Sequence, residues 1–186
     1  MKLYPNGIII QELSHPTNFV TDFNYAGLNA YYQNPLSCLN DDDCKEISRF
    51  ISYRSNEDGT CTPLEFVANV ELAVKYITQC RKMNLSTRVL FVESEYGDEI
   101  WNDVLPNMQF LGYEYSPIPL DSQVMTDFCW HKPLRDHISK LNCSGLFKTL
   151  EDVSAFKATY DYAVLHDNIG DDTTSYICKV SEVILT

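Results

Sequence analysis

Apolar and polar positions alternate in ways that separate strands from helices along this chain. Ile8-Ile9-Ile10 is a short apolar run and predicts a strand. Arg88 to Val92 is continuously apolar after its first residue, the pattern of a central strand covered on both faces. Gln109 to Tyr115 alternates and predicts a second strand, with Gly112 as a bulge. Thr173 to Val183 is rich in β-branched residues and predicts a closing strand.

Helical signals lie between these runs. Thr62-Pro63-Leu64-Glu65 combines a capping hydroxyl, a proline at the first helical position and a glutamate three residues after the cap. Val67, Val70, Val74 and Ile77 follow as an apolar stripe down to about Met83, and Asn84-Leu85-Ser86 breaks it. Thr149 caps a last long helix with Asp152 three residues on, and Leu150, Val153, Phe156, Tyr160 and Val164 share one face. Shorter helices are expected from Cys44 to about Ser55, behind Asp41-Asp42-Asp43; from Asp98 to Leu105, stopped by Pro106; and from Pro133 through Leu141. Ser14 to Asn40 reads as loops, Asp121 to Phe128 as a short helix or ordered loop, and Asn168 to Asp172 as an acidic turn. Capped helices, short turns and buried strands in succession imply an α+β or α/β fold, with a mixed central sheet flanked by helices. A length of 186 residues with no repeat or linker is that of a single globular domain, 1–186.

Charge narrows the function classes. The net charge is -12, from 26 acids against 14 lysines and arginines. Phosphates and anionic membrane surfaces would be repelled, so neither nucleic acid nor membrane is an expected partner. The N-terminal apolar run is too short for a signal peptide, and no run approaches a membrane span. Seven cysteines, odd in number and irregularly spaced, fit reduced thiols in a cytoplasmic protein.

Catalytic and metal patterns are thin. Asp127 and Cys129-Trp130-His131 form the one tight cluster of catalytic residue types, but a cysteine nucleophile needs a base placed by the fold, and chain neighbours point apart in a strand. Cys38 and Cys44 are too far apart for a zinc knuckle, and His131 and His137 are not one helical turn apart. The triple aspartate lacks the alternating ligands and glycine of a calcium loop. Seven scattered glycines form no phosphate loop, and no nucleophile elbow occurs. The reading is therefore a non-enzyme with no cofactor and no metal.

One stretch stands apart. From Val89 to His131 there is no lysine or arginine, while eight acids and eight aromatic rings occur. The chain leaves its apolar strand through Glu93, Glu95, Tyr96, Asp98, Glu99 and Trp101. Acids there would steer a basic partner, and tyrosine and tryptophan would supply rigid contact area. The acidic turn at Asp171 and Asp172 joins them as a candidate contact.

Arg88-Val-Leu-Phe-Val, the acidic tryptophan-containing segment after it, and Phe110-Leu-Gly-Tyr-Glu-Tyr-Ser116 together resemble small acidic immunity proteins of bacterial polymorphic toxin systems. The resemblance covers about a quarter of the chain. It implies a cytoplasmic protein that binds a cognate toxin with a basic surface and occludes it without catalysis. Two other readings stand beside it: a small thiol-dependent hydrolase or transferase using Cys129 or His131, and a regulatory adaptor module.

Overall fold

The computed structural model describes residues 1–12, 51–55, 61–67, 69–82, 84, 86–95, 101, 103–105, 107–117, 131–167, 169 and 175–185. Six strands run β1 (Tyr4–Glu12), β2 (Ile51–Ser55), β3 (Cys61–Val67), β4 (Thr87–Ser94), β5 (Met108–Pro117) and β6 (Ser175–Val183). Among the described residues three α-helices are interspersed: α1 (Val70–Lys82), a single turn α2 (Lys132–Arg135) and α3 (Leu150–Asp167). The strands form one sheet in the order β2-β3-β1-β4-β6-β5. The fold is α+β, and every described pairing is antiparallel, so the sheet is not mixed.

The sheet is organised around β4. Val89, Leu90, Phe91 and Val92 are all buried, as their unbroken apolar run predicts. Strand β1 pairs along one side of β4 and β6 along the other. Paired residues share a face of a sheet. Phe91 pairs with Ser181, Ile177 lies two steps of two residues away on the same strand, and Ile177 pairs with Tyr115. Phe91 and Tyr115 are therefore on one face. Helix α1 packs around Phe91, Ile8 and Ile10, whereas α3 packs around Tyr115 in a cluster that also holds Ile9, Leu90, Val92, Cys178 and Val180. The second face, with Ile9, Leu90, Val92, Cys178 and Val180, is buried as well.

Two expected helices are corrected by β2 and β3. Ile51–Ser55 was expected to end a helix, and it is a strand paired with β3. Thr62-Pro63-Leu64-Glu65 starts no helix: it lies inside β3, with Arg54 opposite Thr62 and Tyr53 opposite Pro63. The described contact of β1 with β3 is at Val67, so Pro63, which has no N–H, interrupts no ladder on that side. Helix α1 begins only at Val70, whose N–H donates to Asp103 Oδ2 at 2.8 Å. The later start turns the buried face to Ala73, Tyr76, Ile77 and Cys80 and leaves Val74 exposed. Asn84, at φ 57°, ends the turn after the helix in the left-handed conformation that asparagine tolerates.

The C-terminal half follows its sequence signals closely. Thr149 Oγ1 accepts from Asp152 N at 3.1 Å, the expected cap. Val153, Phe156 and Tyr160 are buried, with Leu150 and Val164 packed beside them. Tyr115 OH donates to Asp161 Oδ1 at 3.0 Å, and Lys157 donates to Asp161 Oδ2 at 2.7 Å. Burial, and next the Asp161 charge, push the Tyr115 phenol well above its ordinary range, so it stays a donor. The helix expected over Pro133 to Leu141 is split into α2 and a 3-10 turn at Ile138–Lys140. Trp101, Asp103, Val104 and Leu105 are not helical, and the rest of the helix expected from Asp98 lies outside the described residues. So do the expectations for 13–50 and 118–130.

Gly112 sits where the β5–β6 register shifts, at φ 153°. The 141–147 segment closes over it: a Cβ there would lie 2.6 Å from Leu146 Cβ and 2.8 Å from the Phe147 carbonyl oxygen. Asn142 fixes that segment, donating to Leu111 O at 2.6 Å and accepting from Ser144 N and Leu146 N.

Gly112→Ala should lower unfolding free energy by roughly 2–4 kcal/mol in a urea titration, because clash and backbone strain add. Thr149→Ala should cost about 1 kcal/mol through the lost cap. A neutral result for the alanine at 112 would mean that the segment does not close on β5 as described.

Candidate interaction surface

Strand β4 ends at Ser94, and the expected contact residues begin beside it. Glu93 lies opposite Lys179 of β6, and its Oε2 meets Lys179 Nζ at 2.5 Å. Glu95 extends the ladder: its N–H donates to Ile177 O at 3.3 Å, and its Oε1 accepts from Ile177 N at 3.2 Å. Trp101 is half-buried, edge-on to Phe91 with ring centres 5.1 Å apart, and its Nε1 is buried without a hydrogen-bond partner. Tyr96, Asp98, Glu99, Asp171 and Asp172 lie outside the described residues.

The structure therefore brings Glu93, Glu95 and Trp101 to one end of β4 and gives each a role in the fold. It also supplies what the local sequence lacks. The stretch has no cation of its own, but Lys179 arrives from β6 and neutralises Glu93. Asp103 is committed to the first N–H of α1. Elsewhere Glu71, Asp152, Asp161 and Glu182 each lie within 4 Å of a lysine or arginine. Since acids outnumber cations by 26 to 14, the excess negative charge has to stand on other carboxylates.

An apolar edge is the feature that sequence reasoning missed. Strand β5 is the last of the described order, and Val104, Met108 and Phe110 are 92%, 49% and 47% exposed. Ile184, also exposed, joins them through its N–H bond to Asn107 O at 3.0 Å. That bond aims Asn107 inward at β6. Tyr113 exchanges both of its backbone bonds with Phe147 on the outer side, at 2.9 Å each. Backbone groups alternate in direction along an antiparallel strand. With the bulge between Phe110 and Gly112, the N–H and C=O groups of Met108 and Phe110 point away from β6. The signal was present as the alternation Met108-Gln109-Phe110. What was missing was that this strand ends the sheet.

The chemical candidates separate on inspection. Cys80 and Cys178 are buried, Cys143 is exposed, and none of these three forms a disulfide. Burial, with Glu114 and Glu95 nearby, pushes the Cys178 thiol far up, so it is not a thiolate nucleophile. Cys129 lies outside the described residues. His131 Nε2 is 3.0 Å from Asp167 Oδ2, near the C-terminal end of α3, while His137 Nε2 is 3.0 Å from Thr159 Oγ1, two turns earlier. The two imidazoles thus serve different turns of one helix. No cluster of three metal-ligating side chains occurs among the described residues. No described helix is long and apolar enough to cross a membrane. No family model, curated protein or solved structure matches this chain.

His137 carries a pH prediction. Burial lowers its affinity for a proton below the ordinary 6.5, and its ring stands edge-on to Phe156 at 5.7 Å. A depressed value means that the unfolded chain binds the extra proton more readily. The stabilisation is complete above 6.5 and is lost as pH falls through the lowered folded value. Denaturant midpoints measured downward from neutrality should fall more steeply for the wild type than for His137→Asn. Parallel curves would remove His137 from the acid transition.

Proposed function

We propose that this chain is a non-catalytic, cytoplasmic binding protein that covers the working surface of a basic protein partner, as an immunity protein covers its toxin. The observation that carries this reading is the outer edge of β5 before Tyr113, along which no described strand lies. Val104, Met108 and Phe110 present exposed apolar side chains there, and the backbone groups of Met108 and Phe110 point outward. Soluble proteins normally blunt such an edge, because it invites pairing with another chain. Exposed apolar clusters beside polar groups mark contact sites.

Charge and edge would act at different stages. A chain at -12 attracts a cationic partner over a distance and raises its rate of encounter. Asp98 and Glu99, in the chain between Glu95 and Trp101, add to that field from the sequence side. Once the partner arrives, a strand laid along Met108 to Phe110 gains backbone hydrogen bonds, and Phe110 supplies a large ring to bury. Occlusion follows from position alone and needs no reacting group.

The test first reads the genes that neighbour this one for a toxin-like domain, whose absence would count against the immunity reading, and then uses that domain as the binding partner. Phe110→Asp should weaken its complex with this chain by roughly tenfold or more, mainly through faster dissociation. Reversing Asp98 and Glu99 to lysine should instead slow association at low salt and have little effect at high salt. Equal affinity of wild type and Phe110→Asp would remove the β5 edge from the contact. Absence of a complex with that domain would remove the immunity reading itself.

A further inference from the structure

A cavity of about 380 Å³ opens at the far end of the sheet, where α1 finishes, β4 begins and β6 ends. Its polar side is lined by Arg81, Thr87, Arg88 and Glu182, and its apolar side includes Val183 and Leu185. Such a volume is at the small end of the range for ligand pockets.

Two arginines at one cavity are out of keeping with so acidic a chain. Arg88 is the informative one. Its side chain is only 14% exposed, its Nε lies 3.6 Å from Glu182 Oε1, and its Nη1 is buried with no hydrogen-bond partner. An unsatisfied buried donor on a charged group is costly; this one is closed to solvent, so a ligand oxygen would satisfy it only after the guanidinium turns toward the cavity that Arg88 lines. Arg81 stands at the last turn of α1, is exposed and lines the same cavity.

The lining charges decide which anion fits. Among the described lining residues, two guanidiniums against one carboxylate leave a single positive charge in excess. The carbonyl end of α1 faces the same region and opposes further negative charge. A dianionic phosphate would be left over-charged inside a chain that already carries -12. A carboxylate brings one charge and two acceptor oxygens, matching the planar donors of a guanidinium. The apolar wall of Val183 and Leu185 has no use for a second polar group but suits a short hydrocarbon body. We propose that this cavity binds a small aliphatic monocarboxylate, its carboxylate held by Arg88 and Arg81 and its chain laid against the end of β6. The site adjoins the start of β5, since Val183 pairs with Met108 and Ile184 bonds Asn107, but its chemistry does not depend on the partner proposed above.

Hexanoate is the probe, followed by two-dimensional amide NMR on the whole chain. The expected result is a saturable shift confined to signals of 87–89 and 182–185, with a dissociation constant of roughly 1 mM or tighter. Arg81→Gln, on the surface, should weaken binding by about tenfold. Arg88→Lys keeps the charge but removes the orphaned Nη1, and should weaken it by a similar factor. If the lysine variant does not fold, Arg81→Gln decides alone. Hexanol binding as well as hexanoate, inorganic phosphate binding more tightly, or no saturable shift at all would each overturn the assignment. So would unchanged affinity in the folded arginine variants.

Discussion

Burial of β4 on both faces is the constraint from which the remaining structure follows. A strand with apolar residues at every position from Val89 to Val92 cannot lie at an edge or face water on either side. It must be flanked by other strands, and β1 and β6 take those places. Both neighbours must then carry apolar residues on two faces, which Ile8, Ile9 and Ile10 do in β1 and Ile177, Cys178 and Val180 do in β6. The helices are placed by the same demand. α1 and α3 bury separate clusters, one around Phe91 and the other around Tyr115.

Polar groups within this framework are handled by pairing. Glu93 meets Lys179, Arg88 meets Glu182, and Asp161 receives both Tyr115 and Lys157. Glu114 is fully buried yet accepts from Tyr115 N at 3.1 Å. Such pairs keep charge inside the fold at little net gain, since desolvation offsets much of the attraction. Two exceptions are informative. The buried Nη1 of Arg88 and the buried Nε1 of Trp101 are among five buried side-chain atoms of the described residues without a hydrogen-bond partner. For Trp101 there is a packing reason, its edge-on contact with Phe91. For Arg88 a cavity lies alongside.

The β5 edge and the cavity beside it therefore have different characters, although Val183 and Ile184 adjoin both. The β5 edge is apolar, open and suited to a macromolecule that can add a strand. The cavity between α1, β4 and β6 is concave, bounded and locally cationic, which suits a small anion. Acidic surface elsewhere would guide a cationic protein toward the first and keep polyanions from the second. Neither feature needs a catalytic group.

Local pattern alone was enough to place β1, β4, β5 with its irregularity at Gly112, the cap at Thr149 and most of the buried face of α3. Each depends on residues close in the chain: an apolar run, an alternation, a glycine, a threonine followed by an aspartate. Non-local pairing decided the rest. Thr62-Pro63-Leu64-Glu65 has the chemistry of a helix start, but pairing with β2 holds it extended, and the first helical N–H takes its carboxylate from Asp103, 33 residues away. The acidic stretch after β4 reads as free of positive charge because Lys179 lies 86 residues further along the chain. The openness of β5 and the meeting of Arg81 with Arg88 and Glu182 depend on strand order, which no local window contains. Backbone propensity and side-chain periodicity are properties of a short segment, whereas an edge, an ion pair and a cavity are properties of segments brought together.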